Sequence, residues 1–176
     1  VGEPRSLFDA TALAQENRFQ FQWWALSLVD ACPARADQKK GKDKGIDGRL
    51  YFFDEAKTDK AKQIIFSVKS GAVKPADVRD LRGVIERERA AVGVFITLED
   101  PTLEMEKEAA QAAFYVSPFN SKKTPRLQVI TVADLLAGQR PQLPPNGQTV
   151  ALPVAPKAKR PKPKQGEFFP ADESVE

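Results

Sequence analysis

Gly41-Lys42-Asp43-Lys44-Gly45-Ile46-Asp47-Gly48 is a Gly- and Lys-rich loop that runs straight into Arg49-Leu50-Tyr51-Phe52-Phe53. After a polar turn from Asp54 to Lys62 the chain resumes with Gln63-Ile64-Ile65-Phe66-Ser67-Val68-Lys69, and Ser70-Gly71 follows directly. Both apolar runs are short and rich in β-branched and aromatic residues, which predicts two strands paired as a hairpin. Such pairing brings Asp47, at the head of one strand, toward Lys69, at the end of the other, along one edge of a sheet. An acid and a lysine placed in this way can build a metal-dependent site that cleaves phosphodiester bonds.

The rest of the chain supplies layers for that hairpin. Residues 1–7, with Gly2 and Pro4, read as a linker. No Gly or Pro interrupts the chain from Asp9 to Asp30, and the spacing of Leu13, Phe21, Trp24 and Leu28 predicts one helix capped by Asp9 or Thr11. The adjacent Trp23 and Trp24 point about 100° apart, so one belongs in the core and the other is partly exposed. Pro75 suits the first position of a second helix over residues 76–91, with Val78, Leu81, Val84 and Ile85 inward. Val92-Gly93-Val94-Phe95-Ile96-Thr97-Leu98 is nearly all apolar, as in a strand covered on both faces. A helix from Pro101 to about Ala113, a strand over Arg126–Ile130 and a short helix over Thr131–Ala137, stopped by Gly138, complete the order. These elements predict an α/β sandwich: a mixed central sheet, with an antiparallel hairpin and a parallel crossover strand, flanked by helices.

Length and composition set limits. The 176 residues suit one domain over residues 8–140. Proline becomes frequent and apolar periodicity fades after Arg140, so residues 141–176 are expected to be an extended or disordered tail. Beginning at Val1 rather than Met, the sequence is expected to be a piece of a longer protein. No apolar run approaches the roughly 20 residues of a spanning helix, and no signal segment opens the chain, so a cytoplasmic protein without membrane contact is expected. The chain has no histidine and one cysteine, Cys32, which excludes Ser-His-Asp and Cys-His catalysis, His-based metal sites and internal disulfides. A catalytic site would have to use carboxylates, lysine, hydroxyls and a hard cation, Mg²⁺ or Mn²⁺. The net charge is only +3, but Asp37–Arg49 holds five Lys/Arg and Pro156–Lys164 five more without an acid. Lys39, Lys40, Lys42, Lys44 and Arg49 suit a phosphate backbone; the alternative is a solvated loop.

The loop and the strand lysine resemble the restriction-endonuclease-like superfamily, known by its PD-(D/E)xK motif, in its Mrr-type branch. The branch's Gly-x-Asp-x-Gly-x-Asp loop is met by Gly41, Asp43, Gly45 and Asp47, and its strand tripeptide ending in lysine by Ser67-Val68-Lys69. The run from Phe19 to Thr102 is also similar to the C-terminal extension of certain site-specific DNA methyltransferases of restriction–modification systems. Those carry Phe-Gln-x-Trp-Trp, Lys-Gly-Ile-Asp-Gly, Ser-Val-Lys and Arg-Asp-Leu-Arg-Gly strings. The resemblance spans about residues 8–140.

The resemblance implies a Mg²⁺- or Mn²⁺-dependent endonuclease acting on double-stranded DNA, with a DNA methyltransferase in the same or a partner chain. In that reading Asp47 is the metal ligand and Lys69 stabilises charge beside the attacking water. Against these stand an Asx-type turn residue and a solvent-facing strand end. Two departures matter. Ser67 stands where the branch has Glu or Gln, so its hydroxyl would hold a metal-bound water at best. Gln22 stands where its first helix often supplies Glu, leaving a water-positioning or DNA-binding role. Glu86, in the second helix, and Asp43 are the candidates for the missing acid. Cutting both strands of a duplex would call for a homodimer. The rival expectation is a catalytically weak or inactive DNA-binding accessory to a methyltransferase, which Ser67 and Gln22 favour; a structural interaction domain would leave the Lys-rich loop unexplained.

Overall fold

The computed structural model describes residues 3–34, 45–54 and 61–144. Two helices come first, α1 (Leu7–Glu16) and α2 (Arg18–Ser27), then the strands β1 (Cys32–Pro33), β2 (Gly48–Phe52) and β3 (Lys62–Lys69). The chain continues through α3 (Pro75–Glu88), β4 (Val92–Thr97), α4 (Leu103–Ala110), β5 (Phe114–Val116), β6 (Lys123–Pro125), β7 (Leu127–Thr131) and α5 (Val132–Leu136). Five strands form one sheet in the order β1-β2-β3-β4-β7, while β5 and β6 pair separately. β2 runs antiparallel to both β1 and β3, and β4 runs parallel to both β3 and β7. The expected mixed sheet with its antiparallel hairpin and parallel crossover is therefore present.

Side-chain alternation explains the layers. Ile64, Phe66 and Val68 of β3 meet Phe21, Trp24 and Leu26 of α2 on one face, whereas Ile65 faces Val78, Leu81 and Ile85 of α3 on the other. β4 is buried along its whole length because both faces are covered. Gly93 sits where α3 comes closest: a Cβ there would lie 2.5 Å from Ile85 Cδ1. Burying a side chain such as Phe66 or Phe95 contributes about 2–3 kcal/mol, and six strand residues without an exposed face make β4 the centre of the fold.

Four boundaries differ from expectation. The single helix over residues 9–30 is two helices, because Asn17 adopts an extended conformation (φ −149°, ψ 97°) and its side chain accepts hydrogen bonds from the Phe19 and Gln20 amides. The cap of α1 is Ser6, in a reciprocal box with Asp9, rather than Asp9 or Thr11. α3 ends at Glu88, and α4 begins after Thr102, whose hydroxyl accepts from the Met105 amide. The β5–β6 ribbon was not anticipated. Of the two tryptophans, Trp24 is core and Trp23 is half exposed. No helix among the described residues is long and apolar enough to cross a membrane. Residues 145–176 of the expected tail lie outside the described residues.

Candidate functional site

The head of β2 lies beside the carboxyl-terminal end of β3. The Asp47 amide donates to the Phe66 carbonyl at 2.8 Å, and its own carbonyl accepts from the Ala34 amide at 2.8 Å, so Asp47 continues the sheet just ahead of β2. Its carboxylate completes the pattern. Asp47 Oδ2 accepts from the Val68 amide at 2.7 Å and from Ser67 Oγ at 3.3 Å. The Gln22 side chain, from α2, lies beside the same carboxylate, and the Arg18 charge lies within reach. Burial nevertheless dominates: it pushes the Asp47 carboxyl above its ordinary value, against the lowering effect of the Val68 and Ser67 hydrogen bonds and of Gln22.

Lys69 ends β3, in register with Thr97 of β4. Its Nζ donates to Asp77 Oδ1 in a close ion pair. Asp77 lies in the first turn of α3, where its other oxygen accepts from the Lys74 amide at 2.8 Å. Partial burial raises the Asp77 carboxyl, but the hydrogen bonds from Lys69 and Lys74 more than offset it and hold the group below its ordinary value. Thr97 is fully buried, and its hydroxyl has no hydrogen-bond partner among the described residues.

Of the residues expected at the site, Asp47 and Ser67 are hydrogen-bonded with Gln22 beside them, while Lys69 is turned to Asp77. Glu86 is elsewhere: it pairs with Arg126 at 2.7 Å near the opposite ends of β3, β4 and β7, and cannot supply the missing acid. Arg49 is held by Gln63 and by Glu88 at 3.1 Å, which satisfies its guanidinium within the fold. Lys39, Lys40, Lys42, Lys44 and Asp43 lie outside the described residues.

Among the described residues the donor set does not fit a divalent cation. Asp47 has one oxygen taken by an amide and a hydroxyl, Asp77 is paired with Lys69, and the side chains beside Asp47 are Ser67 and Gln22. Among the described residues no group of three or more Asp, Glu, His or Cys is placed to hold a metal. The expected Mg²⁺ or Mn²⁺ at Asp47 with Glu86 or Asp43 therefore has no support among the described residues, of which Asp43 is not one.

A mixed sheet sandwiched by helices, with an Asp before one strand beside the end of a strand closing on Lys, defines a restriction-endonuclease-like domain. The family described as NACHT-associated inactive Restriction Endonuclease 1 matches residues 32–137, and the chain belongs to that family. Among solved structures, the MspJI restriction endonuclease in complex with a 27-mer oligonucleotide is similar, with a TM-score of 0.49 and 15% identity. That similarity covers 74% of this chain and 29% of the MspJI chain, so this chain spans under a third of that protein. No curated protein sequence matches. The family is described as inactive, which overturns the expectation of a magnesium-dependent endonuclease.

Asp77 escaped the sequence reading, although a signal existed: Pro75 at the first helical position puts an acid two residues later in the first turn, close to the preceding strand end. Arg18 gave no such signal, because its approach to Asp47 depends on the break at Asn17.

Proposed function

We propose that this domain is a non-cleaving DNA-binding accessory module, a restriction-endonuclease fold used to dock a larger protein on duplex DNA. The observation that carries the reading is the internal closure of the strand-end site: Lys69 is engaged by Asp77, and the Asp47 carboxylate by Val68 and Ser67. Groups that would act on a phosphodiester serve the fold instead. The lysines at 39, 40, 42 and 44, immediately ahead of Asp47 in sequence, would supply phosphate contacts that position the domain without reading bases. With cleavage of two strands no longer at issue, the reason for a homodimer disappears. The strings shared with methyltransferase extensions support a DNA methyltransferase as the partner domain, and the family's name adds NACHT modules as a second class of partner.

The test is fluorescence anisotropy of a labelled duplex titrated with the chain at several salt concentrations. Binding should weaken steeply with salt, and replacing the four lysines together by glutamine should flatten the slope by up to about three to four units. A duplex that is not bound at low salt, or a slope that the four substitutions leave unchanged, would sink the proposal.

A further inference from the structure

At the far end of the sheet from Asp47 and Lys69, a cleft of about 450 Å³ opens between the start of β3, the end of α3 and β5. Its walls carry Lys62, Arg89 and Arg126 with a single acid, Glu86, beside the rings of Phe114 and Tyr115. The volume falls within the range of small-ligand sites.

Two of the lining residues, Lys62 and Tyr115, are fixed from behind by a built network. Tyr115 and Ser117 donate to the carboxylate of Asp54, which is 3% exposed; the Ser117 bond is 2.6 Å. Lys62 Nζ donates to the Tyr115 hydroxyl at 2.8 Å and lies 3.9 Å from Asp54 Oδ2. Phe52 packs edge-on against the Tyr115 ring, with centroids 6.1 Å apart.

The rim holds unusual backbone. Among the described residues four non-glycine residues adopt positive φ, and two of them border this cleft: Arg89 (φ 52°) lines it and Ala113 (φ 60°) immediately precedes Phe114. Arg89 occupies the left-handed position that closes α3, with its amide bonding the Glu86 carbonyl and the Ala90 amide bonding the Ile85 carbonyl. Glycine is the usual occupant there. Among the described residues the Arg89 side chain has no ion-pair partner, and the Arg126 guanidinium pairs only with the well-exposed Glu86, a weak kind of pair that a phosphate can replace. Phe114 leaves 58% of its surface exposed beside these cations.

We propose that this cleft binds a nucleotide, the phosphate held by Arg89 and Arg126 and the base stacked on Phe114. Guanidinium groups match phosphate bidentately, and an exposed aromatic ring beside them gives a base its π-face. The ligand is either a free mononucleotide or one unit of a single-stranded nucleic acid. This inference stands apart from the duplex-binding reading, since it uses none of the lysines at 39–44.

The experiment is isothermal titration of the full chain with AMP, GMP, CMP and UMP, with adenosine, with inorganic phosphate and with a short oligothymidylate. At least one mononucleotide, or the oligonucleotide, should bind saturably, with adenosine and phosphate each weaker by about tenfold or more. Equal affinity for mononucleotide and oligonucleotide would identify the free nucleotide as the ligand, and a clear preference for the oligonucleotide a single strand. Arg89→Gly removes the guanidinium while easing the backbone, and Phe114→Ala trims an exposed ring, so both variants should keep their melting temperature yet lose about tenfold in affinity. No saturable binding up to about 1 mM, a low-affinity limit on the usual scale, would overturn the proposal. So would binding unchanged in both variants. Capture of an acidic–aromatic peptide of sequence Glu167–Glu176 instead, with nucleotides no tighter than phosphate, would also overturn it.

Discussion

Lys69 Nζ and the Asp77 carboxylate form an ion pair that ties the end of β3 to the first turn of α3. The ammonium group at the end of the strand is thus occupied by an acid of the same chain. Asp77→Ala should release Lys69 and cost about 1 kcal/mol, from a partly exposed pair and a lost helix-start acceptor. It should not create cleavage. Supercoiled plasmid incubated with Mg²⁺ or Mn²⁺ should remain supercoiled with both the parent chain and the variant, and nicking by either would refute an inactive site.

Two carboxylates at this end of the sheet respond to pH in opposite senses. Burial raises the Asp47 carboxyl, so the folded chain binds its proton more tightly than the unfolded chain does. Its contribution is fullest below the ordinary value of 3.8 and is lost as pH rises through the raised value. Asp77 is held low, so its contribution is present above 3.8 and is lost as pH falls through the depressed value. Urea unfolding from about pH 3 to about pH 7 should therefore show Asp47→Asn gaining on the parent chain as pH rises. Asp77→Asn should lose ground over the same range. A constant gap between Asp47→Asn and the parent would mean that the carboxyl titrates normally.

Thr97 keeps a buried hydroxyl with no partner among the described residues. Valine has nearly the same shape without the polar atom, so Thr97→Val should stabilise the chain by about 1 kcal/mol in urea unfolding. A loss of that size instead would reveal a buried water or another acceptor at this hydroxyl.

Gly93 admits no side chain beneath Ile85, whose Cδ1 and Cγ1 would stand 2.5 and 2.8 Å from a new Cβ. Gly93→Ala should cost about 1–3 kcal/mol by overpacking the α3–β4 contact. Shortening the neighbour in Gly93→Ala/Ile85→Val should recover part of that loss. Additive losses in the pair would place the strain elsewhere.

The layer order was readable because its signals are long. β3 and β4 are short runs rich in β-branched and aromatic residues and α3 has clear helical spacing, and a helix between two apolar strands leaves a parallel crossover as the natural connection. Asn17 broke the first helix unannounced, because a polar residue on an amphipathic face looks ordinary until its side chain turns back to cap the next turn. The strands of the β5–β6 ribbon are three residues each, too short for periodicity to register. At the site, position and residue type were legible for Asp47, Ser67 and Lys69, but function was not. What separates an acid that binds metal from one that serves the sheet is the company its oxygens keep, here the Val68 amide and Ser67 hydroxyl, fixed by strand register. Likewise Lys69 and Asp77 meet only because α3 begins where it does.

Because the Asp47 carboxylate completes the ladder at Val68, an end to nuclease chemistry would not free this position to drift. Selection for folding alone favours a short acceptor at the head of β2, and Lys69 keeps a structural partner of its own. A strand-head acid and a strand-end lysine can thus be kept as masonry, whatever chemistry surrounds them. Surveys of genomes that count a strand-head aspartate and a strand-end lysine as a live nuclease will enrol domains of this kind.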